Sequence, residues 1–117
     1  MERDNIIVSK SKAFAIRIVN LYKFLCNEQK EYVMAKQILR SGTSVGANVR
    51  EAVRGQSKAD FYAKMNIALK EISETEYWLE LLYETGYIEK KHFESIYSNC
   101  KEIIKILTSI TKTQNKS

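Results

Sequence analysis

The residues of this sequence best suited to bind a charged partner are lysines and arginines at helical spacing. Lys36 and Arg40 are four residues apart, and Arg50, Arg54 and Lys58 repeat that interval. Residues four apart share one face of a helix. The candidate set, which lies within the first sixty residues, is Lys12, Arg17, Lys36, Arg40, Arg50, Arg54 and Lys58. Rows of such cations neutralise phosphates and release condensed counterions, so the chemistry they predict is binding of a polyanion.

The distribution of charge favours the same class of partner. The chain of 117 residues has a formal net charge of +5 and a pI near 9.2. Residues 1–60 hold 11 lysines and arginines against six acids, whereas residues 61–117 hold eight of each. This asymmetry points to RNA or DNA, although a solvated basic face that aids solubility has the same composition. Neither a helix-turn-helix signature nor RNP aromatics are present, so binding should follow shape and backbone charge rather than base sequence.

Residues for covalent or metal chemistry are sparse. The chain has one histidine, His92, and two cysteines, Cys26 and Cys100, without the spacing of a zinc site. Gly42 and Gly46 lack the lysine and the preceding strand of a phosphate-binding loop. Acids at helical spacing lack the Glu-x-x-His motifs of a two-metal bundle and predict a solvated face. These acids are Glu71, Glu74, Glu76, Glu80 and Glu84. We expect two free thiols, no catalytic residues, no metal, no cofactor and no small-molecule substrate.

Apolar residues recur with a period that predicts four helices. The stripe in the last quarter of the chain has intervals of three and four, close to a heptad seam. Its members are Phe93, Ile96, Cys100, Ile103, Leu107 and Ile110. Similar stripes lie upstream, and the chain contains no proline, as expected of an all-α protein. The prediction is a single domain over residues 1–117, with helices at about 9–26, 31–54, 58–85 and 89–111 and a frayed tail at 112–117.

The breaks between the helices are short and carry recognisable signals. The run Gly55–Lys58 separates the second and third helices, and the hydroxyl of Ser57 can cap the third. Gly86 is a stop signal in the left-handed conformation. The fourth helix should begin near Glu89, without a Ser, Thr, Asp or Asn cap. Short connections make neighbouring helices antiparallel, so the predicted fold is an all-α, antiparallel up-down four-helix bundle.

Residues 40–54, RSGTSVGANVREAVR, place small and polar residues inside a helical register. A glycine inside a helix costs about 1 kcal/mol relative to alanine, a cost accepted where helices approach closely. Gly42 and Gly46 would allow that approach. Ser44, Asn48 and Glu51 fall on one side of the helix, and a buried asparagine there should bind a neighbouring backbone group or side chain. We interpret the segment as a polar clamp for helix packing, with a polar ligand site as the alternative.

Apolar side chains exceed what the core of four helices requires. The additional ones are Tyr62, Leu69, Tyr77, Trp78, Leu81, Tyr83, Tyr97 and Ile104. They indicate either self-association or a thick core with tyrosines at its rim. No apolar run approaches the roughly 20 residues needed to span a bilayer. Residues 1–8 do not have the pattern of a signal peptide, so we expect no membrane contact and a cytoplasmic location.

The string SGTSVGANVREA at residues 41–52 resembles the signature of the four-helix-bundle family encoded in intervening sequences of bacterial 23S ribosomal RNA. That family is in turn similar to the accessory variability proteins of diversity-generating retroelements. The likeness continues through SKADF at 57–61, ALKEISETEYWLE at 68–80 and LYETGYI at 82–88, and covers about residues 10–111. It implies a four-helix bundle, a homo-oligomer in the form of a pentameric ring with a basic surface, and nucleic-acid binding. For the retroelement relatives it also implies a reverse-transcriptase partner.

Two functional hypotheses follow. The first is a non-enzymatic, homo-oligomeric bundle that binds RNA or DNA by backbone charge and shape. The second is a structural or protein-interaction module, such as an accessory subunit of a reverse transcriptase, whose basic face serves only solubility. Salt-dependent binding of a polyanion separates the two, because only the first predicts it.

Overall fold

The apolar stripes form four long helices that pack side by side. The computed structural model describes the backbone of residues 2–116 and the side chains of residues 4–114. The helices are α1 (Glu2–Asn27), α2 (Val33–Val53), α3 (Lys58–Glu84) and α4 (Lys90–Lys112), followed by a 3-10 turn, Thr113–Lys116. Each helix packs on the next, and α4 closes against α1. The result is the predicted all-α up-down bundle, 47 Å long and 20 Å across.

One continuous hydrophobic core runs along the axis of the bundle. Every helix contributes side chains with almost no solvent exposure. The largest are Ile7, Phe14, Ile18, Leu25, Ile38, Met65, Ile72, Leu79, Leu82, Ile103, Leu107 and Ile110. Burial of each large aliphatic side chain contributes roughly 1.5–3 kcal/mol. Packing therefore holds the helices more strongly than intrinsic propensity does.

The first helix begins earlier than predicted. It starts at Glu2 rather than near residue 9. Ile7 and Ser11 are both buried and extend the stripe of Phe14 and Ile18 towards the N-terminus. The additional turns are therefore anchored to the core, and this anchoring explains the earlier start.

The second helix is capped by a side chain that the sequence pattern did not indicate. Lys30 adopts a left-handed conformation with φ of 54° and reverses the chain after α1. The carboxylate of Glu31 then accepts hydrogen bonds from the backbone N–H of Val33, at 3.3 Å, and of Ala35, at 2.9 Å. These bonds satisfy donors that the first turn leaves free, so α2 starts at Val33 rather than at residue 31.

The remaining helix ends follow the predicted signals. Ser57 Oγ accepts the N–H of Asp60 at 3.0 Å and caps α3. Gly86 has φ of +86° and ends the turn after α3. The predicted frayed tail at 112–117 is wrong at its start, because Lys112 still belongs to α4 and Thr113 Oγ1 lies 2.7 Å from the Tyr62 hydroxyl. The last residue, Ser117, lies outside the described residues.

Two of the additional aromatic residues, Tyr83 and Tyr97, pack on Phe93 at the seam between α3 and α4. The rings of Tyr83 and Phe93 stack with centroids 4.3 Å apart, and Phe93 stacks on Tyr97 at 4.7 Å. These residues match the thick core with tyrosines at its rim. Tyr77, in contrast, is 56% exposed. No described helix has the length and apolar content required to cross a membrane.

Candidate nucleic-acid interface

An open groove of about 1080 Å³ lies where the end of α2 meets α1 and the start of α3. Its floor consists of small residues on the outward side of α2, Thr43, Gly46 and Ala47. Val8 and Ala15 form the α1 side, and the loop at residues 55–57 closes one end. The groove is concave because Gly46 and Ala47 have little or no side chain to fill it.

Three of the predicted cations converge on this groove. Lys12 reaches it from α1, and Arg50 and Arg54 reach it from the last turns of α2. All three side chains are exposed, and none forms an ion pair with a residue whose side chain the structure describes. Local positive charge without an acidic partner attracts a phosphate more strongly than charge that is already paired.

Helix periodicity explains why Arg50 and Arg54 face outwards. Val45, Val49 and Ala52 of the same helix are fully or almost fully buried. The two arginines, four residues apart, lie on the opposite side of α2 and project into solvent beside the groove.

The rim of the groove also carries opposite charges. Glu51 and Lys64 form an ion pair at 3.2 Å that joins α2 to α3. Asp60 lines the groove next to the loop, with its carboxylate over Gly55. The groove therefore has a basic side formed by Lys12, Arg50 and Arg54 and a mixed side where α3 begins.

Arg40, which the sequence predicts to be one of the phosphate-binding cations, is paired with acids of α3. Its guanidinium bridges to α3, where it pairs with Glu71 at 3.0 Å and with Glu74. A hydrogen bond from the Trp78 indole, at 3.0 Å, lowers the pKa of Glu74, and Arg40 lowers it further. The arrangement keeps Glu74 ionised and commits Arg40 to helix packing.

The other predicted cations lie apart from the groove or at its edge. Arg17 donates a hydrogen bond to Asn99 of α4 and lies between α1 and α4. Lys36 is exposed near the start of α2, roughly 20 Å along the helix from Arg50 at 1.5 Å per residue. Lys58 is exposed on the first residue of α3, just beyond the closed end of the groove. The structure thus brings Lys12, Arg50 and Arg54 together and separates the remainder of the set.

The small-residue segment works by close approach. A Cβ on Gly42 would lie 2.8 Å from side-chain carbons of Ile18, and one on Gly46 would lie 3.3 Å from the carbonyl oxygen of Ser11. Both neighbours belong to α1. Gly42 therefore leaves no room for a methyl group at the present distance between α1 and α2, and Gly46 permits a close approach of the two backbones.

The predicted polar clamp of Ser44 and Asn48 does not join two helices. Ser44 Oγ donates to the Arg40 carbonyl at 2.6 Å, and Asn48 Nδ2 donates to the Ser44 carbonyl at 2.9 Å, both within α2. Only Glu51 reaches another helix, through Lys64. The buried polar contact between α2 and α3 is made instead by Ser41 and Thr75, at 2.8 Å.

Most acids of α3 form hydrogen bonds or ion pairs rather than a solvated face. Glu76 pairs with Lys101 at 2.9 Å, and Glu80 accepts the Tyr97 hydroxyl at 2.6 Å. This hydrogen bond to Glu80, helped by burial, raises the pKa of Tyr97. Glu84 is exposed, as predicted.

The arrangement defines a helical bundle with a basic groove on the outward side of its second helix. A family model described as 23S rRNA-intervening sequence protein matches residues 3–109. The chain belongs to the 23S rRNA-intervening sequence protein family. No match was found among curated proteins.

A solved structure supports the family assignment. The chain is 64% identical to a Bacteroides thetaiotaomicron VPI-5482 protein described as a protein with unknown function from the S23 ribosomal protein family. The TM-score is 0.92, and the match covers 94% of this chain and 98% of that one. The resemblance inferred from residues 41–52 is thereby confirmed.

Proposed function

We propose that this protein is a non-enzymatic, homo-oligomeric bundle that binds RNA or DNA through phosphate contacts at the groove between α1 and α2. The observation that supports the proposal is the convergence of Lys12, Arg50 and Arg54, from two helices, without acidic partners among the described side chains. Their concave setting suits a charged backbone that enters from solvent. The described residues offer no base-reading motif, so discrimination would depend on shape.

Assembly would strengthen such binding. A patch with three cations binds weakly on its own, and repetition of the patch around a homo-oligomer raises affinity through effective concentration. Homo-oligomerisation, in the form of a pentamer, is an expectation from the resemblance and belongs to this proposal.

Fluorescence anisotropy with a structured RNA and a duplex DNA, titrated across salt, tests the proposal on protein whose assembly state is known from light scattering. The parent should bind both, with affinity that falls steeply as salt rises. Arg50→Glu with Arg54→Glu should weaken binding by about tenfold or more. Lys23→Glu with Lys90→Glu makes the same change of net charge at the opposite end of the bundle and should have a much smaller effect. Equal losses in the two double variants would contradict a site at the groove.

A second candidate function is protein interaction, including a role as an accessory subunit of a reverse transcriptase. The observation that favours it is exposed apolar surface: Val33 is 74% exposed, Tyr77 56% and Tyr32 50%. Single exposed apolar residues are common, but Tyr32 and Val33 are adjacent, and contiguous apolar surface marks protein contacts. Stable assembly with no binding of either nucleic acid at low salt would favour this function over the first.

A further inference from the structure

The fourth helix has a basic surface, although residues 61–117 as a whole have no net charge. α4 contains five lysines against two glutamates, whereas α3 contains three lysines against six acids. The two contributions cancel in the sequence, and Glu76 of α3 neutralises Lys101 of α4 across the seam, but Lys105 and Lys112 of α4 pair with no acid whose side chain the structure describes. The outward side of α4 is therefore basic.

The lysines share that outward side with hydroxyl groups. The surface is a shallow depression of about 980 Å³, and the basic and hydroxyl residues that α4 contributes to it are Ser98, Lys101, Lys105, Thr108, Ser109 and Lys112. They lie opposite the buried stripe that includes Ile103 and Leu107. Lysine ammonium groups flanked by hydroxyl donors are typical of contacts to phosphate oxygens.

Two of these lysines are free to bind an external anion. Lys101 is committed to Glu76 at 2.9 Å, and Glu102 is committed to Lys10 of α1 at 3.1 Å. Lys105 and Lys112 are exposed and form no ion pair with a residue whose side chain the structure describes. The depression thus offers two unpaired cations, and the one acid that lines it already has a partner.

The α4 surface and the groove face different directions. In the up-down bundle α2 packs between α1 and α3, and α4 also packs between α3 and α1, so α2 and α4 occupy diagonal corners. Outward surfaces of helices at diagonal corners point away from each other across the bundle, which is 20 Å wide. A short, straight duplex that lies on one surface cannot touch the other.

We propose that the α4 surface is a second phosphate-binding site, so that one chain binds two separate segments of nucleic acid. This inference rests on the proposed function and extends it from binding a polyanion to bridging two segments of one. The occupant is the sugar-phosphate backbone, because unpaired ammonium groups and hydroxyls are complementary to phosphate oxygens.

The experiment is to count short duplexes per chain. Isothermal titration at low salt uses the full-length protein and a DNA duplex of about one helical turn, roughly 10 base pairs. The parent should bind two duplexes per chain. Lys105→Glu with Lys112→Glu should bind one, Arg50→Glu with Arg54→Glu should bind one, and the quadruple variant should bind none. Lys23→Glu with Lys90→Glu is the charge-matched control and should still bind two.

Salt dependence gives an independent readout for the α4 site. In the Arg50→Glu, Arg54→Glu background only the α4 site remains. Because Lys105 and Lys112 would each neutralise one phosphate, a plot of the logarithm of the binding constant against the logarithm of salt concentration should fall with a slope of about two. The second site would be overturned if the parent bound one duplex per chain, if the groove variant abolished that binding, and if Lys105→Glu with Lys112→Glu left it unchanged. The proposed function would remain intact. Failure of the parent to bind any duplex at low salt would overturn both.

Discussion

Thr75 of α3 and Ser41 of α2 form a buried hydroxyl pair, with 2.8 Å between their Oγ1 and Oγ atoms. Both side chains have no solvent exposure. Thr75 Oγ1 also lies 2.8 Å from the Glu71 carbonyl oxygen. That carbonyl can only accept and Thr75 has a single hydroxyl proton, so the arrangement that satisfies every group uses the protons of both hydroxyls. The pair therefore fixes the relative position of α2 and α3 as well as filling space.

Removal of the Thr75 hydroxyl should destabilise the protein more than removal of the Ser41 hydroxyl. Thr75→Val keeps the shape but leaves the Ser41 hydroxyl buried without its partner, at a cost of about 1–3 kcal/mol. Ser41→Ala leaves Thr75 bonded to Glu71, so we expect a smaller loss, about 0.5–1.5 kcal/mol. Urea unfolding of both single variants and the double variant measures the coupling free energy. The double variant should lose less than the sum of the two, and strict additivity would show that the hydroxyls do not interact.

The contact of α1 with α2 should depend on two glycines. Gly46→Leu places a Cβ 3.3 Å from the Ser11 carbonyl oxygen, so α1 must shift slightly even when the rest of the side chain enters the groove, and we expect a loss of about 1–3 kcal/mol. Gly42→Ala adds only one methyl group, but this methyl would lie 2.8 Å from the buried Ile18 side chain, so one of the two helices must move. We expect a net cost of about 1–3 kcal/mol in spite of the gain in helix propensity.

Ala47→Leu is the control for these glycine variants, since Ala47 is exposed on the same helix. It should melt within a few degrees of the parent. Circular dichroism thermal melts and light scattering follow secondary structure and assembly together. A Gly46→Leu protein with the melting temperature and assembly state of the parent would contradict the packing role.

Much of the fold could be predicted from the sequence because helical periodicity reports burial directly. Every member of the predicted α4 stripe is buried except the half-buried Phe93, and Ser57 and Gly86 mark helix ends through local chemistry. The start of α1 was missed because Ile7 gains its helical state from packing against distant residues. The cap of α2 was missed because Glu31 acts two residues before the helix.

The site could be predicted only in part. Spacing places Arg50 and Arg54 on one face of a helix, but it cannot show that Lys12 of another helix joins them. Nor can it show that Arg40, which is equally basic and lies on the same helix, forms ion pairs with Glu71 and Glu74. Whether a surface charge is free depends on the neighbouring helix, and that information appears only in three dimensions.

Arg40 and Arg50 therefore provide a matched pair for testing which cations bind. Both are exposed arginines of α2, and a change to glutamine removes the same charge. Arg50→Gln should lower the affinity for duplex DNA. It should also reduce by about one the slope with which the logarithm of the binding constant falls against the logarithm of salt concentration. Arg40→Gln should leave affinity within about twofold of the parent and cost roughly 0–1 kcal/mol of stability, as expected for a pair near the surface. Salt-dependent anisotropy and urea unfolding measure the two effects, and the opposite ranking in affinity would exclude the groove as the binding surface.

Cys100 should make stability fall at alkaline pH. Burial raises the pKa of its thiol to about 12, whereas a thiol in the unfolded chain titrates near 8.5. The unfolded chain ionises first as pH rises, so the contribution of this group is complete below about pH 8.5 and is lost as pH rises towards 12. The loss is about 1.4 kcal/mol per pH unit in that window.

Comparison with Cys100→Ala isolates this contribution, because the variant lacks the titrating group. The destabilisation of Cys100→Ala at about pH 8.5 reflects the lost sulfur and the cavity. The difference in unfolding free energy between the parent and this variant should shrink by about 2 kcal/mol between pH 8.5 and about pH 10. Ile103→Val serves as a control, since this nearby core truncation retains Cys100 and its gap from the parent should not depend on pH. Urea unfolding at the two pH values measures each gap. If the difference in unfolding free energy between the parent and Cys100→Ala is as independent of pH as that of the control, the buried thiol does not resist ionisation. The parent would then lose no more stability at high pH than the variant that lacks the thiol.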